Sequence, residues 1–296
     1  MAWQDTLIRL YLYIGQQHQD HLTAYAERFS NNQSEPGLTD EEVLTIYLFG
    51  LIKERKTLRA IHAYTRDHLA DWFPRLPSYG GYVQRLNRLG DLFPALIGHV
   101  LKEYPQHALN ENVRMMDSLP IIMAKEKRAS RARVAPDFAN KGYCASKEMY
   151  YYGVKLHLLG LRREGTMPLP EYIGLTPGSE HDLVALRSIA GQLHDTELYA
   201  DKAYADAPMA SALAQEQNVG LFTPIKKKKG QQALPMTDRA YSEAVSRVRQ
   251  PIESLFNWIE EKTGIQCASK VRSYQGLMVH VFGRLAAAMY LLVFYP

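Results

Sequence analysis

The sequence predicts an α+β fold: an all-helical N-terminal domain over 1–108, then a mixed five-stranded sheet flanked by helices over 109–296, ending in a helix. Three observations predict it. Up to about residue 110 apolar residues recur every three to four positions, and beyond it the alternation of strands sets in. The 296-residue length suits one large or two ordinary domains. Hydrophobic and charged fractions of 46% and 22% are those of a soluble globular protein.

In the first domain Leu7, Leu10, Tyr11 and Ile14 make one stripe, and a polar break follows at 31–37. Thr39-Asp40-Glu41-Glu42 reads as a capping box, with Val43, Ile46, Tyr47 and Leu51 behind it as the buried face. Thr57 to Leu69 and Tyr82 to Leu89 are further short helices, separated by Pro74, Pro77, Gly80 and Gly81. Leu92, Leu96, Ile97, Val100 and Leu101 mark the last. Such a set is either a structural cap or a helix-turn-helix that reads DNA, Arg85 and Arg88 then lying on the recognition helix.

In the second domain Val113 to Asp117, Met149 to Leu161, Glu171 to Leu175, Leu198 to Asp201 and Val219 to Ile225 read as strands. His181 to Leu193, Ala207 to Gln217 and Tyr241 to Lys262 read as helices, the last carrying Pro251 as an expected kink. The order β-β-β-α-β-α-β-α is that of a ribonuclease H-like domain. Its first and fourth strands are neighbours, so Asp117 and Asp201 are expected to converge. Near the C-terminus Leu285 to Tyr295 is strongly apolar but too short to span a membrane, and no membrane association is expected. Cys144 and Cys267 offer neither a disulfide framework nor a CxxC motif, which suits a reducing cytoplasm.

Two strand-end aspartates, Asp117 and Asp201, and a helical glutamate, Glu253, are the residue types that hold two hard divalent cations. Such a pair, roughly 3.5–4 Å apart, activates an attacking oxygen and stabilises a leaving one. Taken singly, each acid has an ordinary reading as a turn residue or, for Glu253, as an i,i+4 partner of Arg249. Asp182 reads as an N-cap. Lys155 and His157 share a strand face and either reach toward a bound phosphate or cap the sheet edge.

Positive charge is concentrated. Residues 125–155 hold eight Lys/Arg against three acids, Arg128 and Arg131 among them. Residues 226–249 hold seven against two, with Lys227 and Lys228 in the run. The net charge is only +4, so the remainder is acidic. Two basic segments beside candidate catalytic elements suit a phosphate backbone.

The motifs Met116-Asp117-Ser118-Leu119-Pro120, Tyr152-Gly153-Val154-Lys155-Leu156-His157, Gly178-Ser179-Glu180-His181-Asp182, Tyr199-Ala200-Asp201-Lys202-Ala203-Tyr204 and Arg249 to Trp258 together resemble those of a DDE transposase of a bacterial insertion sequence. The resemblance is greatest to the insertion-sequence 982 family and covers essentially the whole chain. Of the wider Tyr-x2-Arg-x3-Glu-x6-Lys signature, Arg249 and Glu253 are kept. Ser246 and Glu260 stand at the tyrosine and lysine positions, with Lys262 two residues on.

The resemblance implies Asp117, Asp201 and Glu253 as the catalytic, metal-binding triad, with Mg2+ as cofactor, Mn2+ as a substitute, and two ions per site. It implies cleavage at terminal inverted repeats of double-stranded DNA and transfer of the freed 3′-hydroxyl into target DNA. Arg249, Lys155, His157 and Lys202 would contact that DNA, and the protein would act as a homo-oligomer on it, associated with the nucleoid. The alternatives are a nuclease that cuts without joining and a non-catalytic DNA-binding descendant.

Overall fold

A computed structural model of the chain describes residues 2–25 and 37–295, so the polar break expected at 31–37 lies, Gly37 excepted, outside the described residues. The chain divides into two compact units, Met1–Tyr104 with Ile259–Pro296, and Pro105–Trp258. The expected division at 108/109 gave the C-terminal helix to the sheet domain. It packs within the helical unit instead.

The helical unit contains α1 (Trp3–Gln17), α2 (Asp40–Ile52), α3 (Leu58–His68), α4 (Tyr79–Arg88) and α5 (Phe93–Lys102). The capping box forms as read: Thr39 Oγ1 accepts from the Glu42 amide, and Glu42 Oε2 accepts from the Thr39 amide. Leu7, Leu10 and Ile14 are buried, whereas Tyr11 is 41% exposed and leaves the stripe. In α2 every residue from Val43 to Leu51 is buried, so the helix is apolar all round and central. The C-terminal helical run, Tyr274–Phe294, begins well before the apolar stretch that the sequence marks out. By length and composition alone it could cross a membrane, yet 72% of its most apolar window is buried inside the unit. His280 and Arg284 lie buried within it, the imidazole Nε2 against the Ile265 carbonyl and the guanidinium against the carbonyls of Thr263 and Lys56. It is the core helix of this unit.

The second unit is built on β1 (Asn110–Lys125), β2 (Asn140–Cys144), β3 (Met149–Arg162), β4 (Leu169–Pro177), β5 (Thr196–Ala200) and β6 (Val219–Phe222), with α6 (Asp182–Ile189), α7 (Ala207–Gln217) and α8 (Met236–Thr263), of which Met236–Trp258 belongs here. The order across the sheet is β4-β3-β1-β5-β6. β1, β3 and β4 form an antiparallel meander, and β5 and β6 run parallel to β1. β2 pairs with 149–153 of β3 and β4 with 154–161, so the two share one edge and the sheet stays five strands wide. This is the mixed sheet with flanking helices expected of a ribonuclease H-like domain.

Several elements differ from the sequence reading. β1 runs on to Lys125, past Pro120, because β3 remains its partner as far as Lys125↔Tyr151. Pro120 is tolerated where β5 has already ended and β1 has a single neighbour. β2 escapes the sequence because only Tyr143 and Cys144 in it carry a strand signal. α6 stops at Ile189, and a 3-10 turn covers Ala190–Gln192.

Candidate active site

Asp117 lies mid-strand in β1, not at its end as the sequence suggests. The parallel pairing of β1 with β5 ends at Met116↔Ala200, so Asp117 and Asp201 are the first residues beyond it on neighbouring strands. Asp201 caps the 3-10 turn Lys202–Tyr204, its Oδ1 accepting from the Lys202 amide at 2.6 Å. Lys202 begins that turn and is exposed.

Glu253 comes from α8, which buries Ile252, Leu255 and Phe256 and leaves Glu253 about half exposed. Arg249, one turn earlier, joins the acids: Nη1 donates to Asp117 Oδ2 at 2.6 Å and Nη2 to Glu253 Oε1. Its side chain is 11% exposed, and its buried Nε makes no hydrogen bond among the described residues. Burial, above all, pushes the Asp117 carboxyl up to about 6. The charges of Asp201 and Glu253 add to the rise, and Arg249 and the Ser118 amide work against it. The three acids therefore share one electrostatic neighbourhood. Among the described residues, no three His, Cys, Asp or Glu side chains close round a single point to hold one ion.

Lys155 and His157 share one face of β3, as their spacing indicates, but it is not the face that carries Asp117. Directly paired residues share a sheet face, and the register sets Leu158 against Asp117, His157 against Ser118 and Lys155 against Pro120. Both basic residues thus face away from the Asp117 carboxylate. Lys155 Nζ donates to Asp182 Oδ1 at 2.8 Å and to the Glu180 carbonyl at 2.6 Å. His157 is fully buried, with Nδ1 3.3 Å from the Tyr204 hydroxyl and Nε2 2.8 Å from Thr176 Oγ1. Burial lowers its pKa to about 4, so it stays neutral.

The other expected DNA contacts divide. Arg128, Arg131, Lys227, Lys228 and Arg88 are exposed. Arg85 is committed to the start of α2, donating to the Leu38 carbonyl and to Asp40 Oδ1. His181, not Asp182, is the N-cap of α6. Asp182 instead receives Lys155 and, at 3.2 Å, the Ser118 hydroxyl. Sequence reasoning missed Asp182, Tyr204 and Thr176 as partners in this cluster. The first two sit inside quoted motifs, but contacts across the sheet have no local signature.

The family description "Transposase DDE domain" matches residues 107–273, more than half of the chain. The chain belongs to that family. No curated protein and no solved structure matches it. The match covers the whole sheet unit of this DDE transposase domain but for Pro105 and Gln106, with Asp117, Asp201 and Glu253 all inside it. Transposases act on DNA, and DDE transposases generally use divalent metals.

Proposed function

We propose that the chain is the transposase of a bacterial insertion sequence, like those of the insertion-sequence 982 family, and that Asp117, Asp201 and Glu253 are its catalytic carboxylates. One observation carries the reading: within the matched domain, β1, β5 and α8 bring these acids together where each raises the proton affinity of Asp117 or shares its guanidinium partner.

The donor set fits Mg2+. All three are hard carboxylate oxygens, and Mg2+ commonly takes only one or two carboxylates, leaving its other positions to water and phosphate. Asp117, Asp201 and Glu253 would hold the ions between them, with water and phosphate completing the coordination. The ions, when bound, supply Lewis acidity at the attacking and leaving oxygens of the phosphodiester.

The remaining work falls to the chain. Asp117, Asp201 and Glu253 hold position on three separate elements, so the site is set by sheet register and not by a loop. Arg249 bonds both Asp117 and Glu253 and offsets one of their two negative charges. A groove of about 640 Å³ lies along α8 ahead of Glu253, lined by Leu234, Arg239, Ser242, Glu243, Ser246, Arg247 and Gln250. Arg239 is paired with Glu243 there, so Arg247 and the exposed Lys226 to Lys229 before the groove are the cations left for a DNA backbone. Exposed Lys202, Arg128 and Arg131 add cationic side chains to the sheet unit and exposed Arg88 adds one to the helical unit, and two copies acting on paired ends would assemble on the nucleoid.

Strand transfer is the finer claim. Incubating the protein with Mg2+, a pre-cleaved end of its own element and a circular target should yield joined product. Cleavage of uncut ends with no joining would leave a nuclease.

A further inference from the structure

The end of the sheet where β2 meets β3 carries a surface that the function proposed above does not use, though what is inferred from it rests on that reading of the chain as a DNA-binding protein. β2 sets Lys141 opposite Tyr152, Gly142 opposite Tyr151 and Tyr143 opposite Tyr150. Alternation turns Gly142 and Tyr151 to one face, where Tyr151 is fully buried and packs with Cys144 and Ile122. Lys141, Tyr143 and Tyr150 turn to the other. β3 keeps its alternation from Tyr150 to Leu158, and Leu158 is the partner of Asp117. The face that carries the two tyrosines is therefore the face that carries the acid.

Most of that face is covered. Val154, Leu156 and Leu158 are buried, and Tyr152 lies under the segment between β1 and β2, its hydroxyl donating to the Val134 carbonyl at 3.0 Å. The cover ends there. Tyr143 is 51% exposed and Tyr150 55%, with ring centroids 5.0 Å apart. Lys141 Nζ stands 4.4 Å from the Tyr150 ring centre, so a cation is fixed beside the pair. Tyr150 is eight residues along β3 from Leu158, about 26 Å at the rise of a strand, and so out of reach of a phosphate held by the acids.

The charge around the pair selects its partner. Residues 125–155 hold eight Lys/Arg against three acids, and Arg128 and Arg131 are exposed on the segment that covers Tyr152. Lysine is depleted where proteins meet proteins, whereas open aromatic rings among cations are the parts of a single-strand platform. In an intact duplex the base faces are stacked on one another, so these rings can take bases only where the strands are unpaired.

We infer that Tyr143, Tyr150 and Lys141 form a stacking platform for unpaired nucleobases, which holds single-stranded DNA on the Asp117 face of the sheet, away from the acids. The rings take the bases and Lys141 takes the phosphate beside them.

The test is fluorescence anisotropy of a labelled single-stranded oligonucleotide, and of the blunt duplex of the same sequence, with the full chain and no metal. Threonine removes the ring and keeps the strand preference, so Tyr143→Thr with Tyr150→Thr is the variant to compare. Single-strand affinity should fall by about tenfold or more, and duplex affinity should stay within about threefold. Tyr143→Phe with Tyr150→Phe should bind both as the unaltered protein does. Lys141→Gln should weaken single-strand binding less and flatten its salt dependence. If the double threonine variant does not fold, Tyr143→Thr alone should show the same selective loss. Unchanged single-strand affinity in the threonine variants, or an equal loss for both forms of DNA, would overturn this inference alone. So would self-association lost in those variants with single-strand affinity intact, which would make the face a contact between copies. Failure of the unaltered protein to bind either form would remove the DNA reading and this inference with it.

Discussion

At the scale of single residues, the Arg249 guanidinium holds Asp117 and Glu253 together, and burial with the nearby acids raises the proton affinity of Asp117. Asp117, Asp201 and Glu253 stand in short motifs whose residue types already suggest hard-metal chemistry. The roles of Lys155 and His157 stayed open because strand alternation says which residues share a face, not which face holds the site. Only the register Asp117↔Leu158 decides that. Asn replacements test the acids individually. Asp117→Asn should abolish cleavage, by at least about 1000-fold, while leaving duplex binding within about threefold by gel shift. Retained cleavage would take Asp117 out of the mechanism.

His157 gives a pH prediction. Its pKa falls from 6.5 to about 4 on folding, so the unfolded chain takes up a proton first. The stability it contributes is present above pH 6.5 and is lost as pH falls toward 4, by up to about 3 kcal/mol. Asp117 works oppositely: its carboxyl, raised to about 6, favours the folded state as pH falls through that value. Denaturant titrations between pH 7 and 4 should therefore show a shallower acid loss in His157→Gln than in the unaltered protein. Equal slopes would mean that His157 is not held neutral in the fold.

At the scale of elements, periodicity and caps placed the helices well. α7 has the bounds the sequence indicated, and the Thr39–Glu42 box formed as read. Strands were harder, since β1 continues through a proline and β2 has little apolar content. Both are held by β3, a partner distant in sequence, so local pattern alone under-reads them. The crossing of β3 and β1 is tight at Gly153, where an added Cβ would stand 2.0 Å from the Ile121 carbonyl oxygen. Gly153→Ala should destabilise the sheet unit by about 3 kcal/mol, read as a lowered denaturation midpoint. An unchanged midpoint would show that β1 shifts freely there.

At the scale of the whole molecule, the expected change near residue 110 corresponds to the unit boundary at Tyr104/Pro105, but the return of the chain after Trp258 was invisible in the sequence. An apolar C-terminal run does not announce which unit it fills. Leu285, Ala286, Ala288 and Met289 are buried in the helical unit's core. Ending the chain after Trp258 should therefore make residues 2–104 sensitive to limited proteolysis while 105–258 stays resistant. Persistent protection of 2–104 would contradict that assignment.

The central claim is that the acids brought together by β1, β5 and α8 cut DNA with a divalent metal. The most direct measurement is nicking of DNA carrying the element's own ends, with Mg2+ or with chelator, by the unaltered protein and by Asp201→Ala. Nicking at the end junction that requires metal and disappears in Asp201→Ala is the predicted result. Metal-dependent nicking of the same strength in Asp201→Ala, or specific end binding with no nicking by either protein, would contradict it.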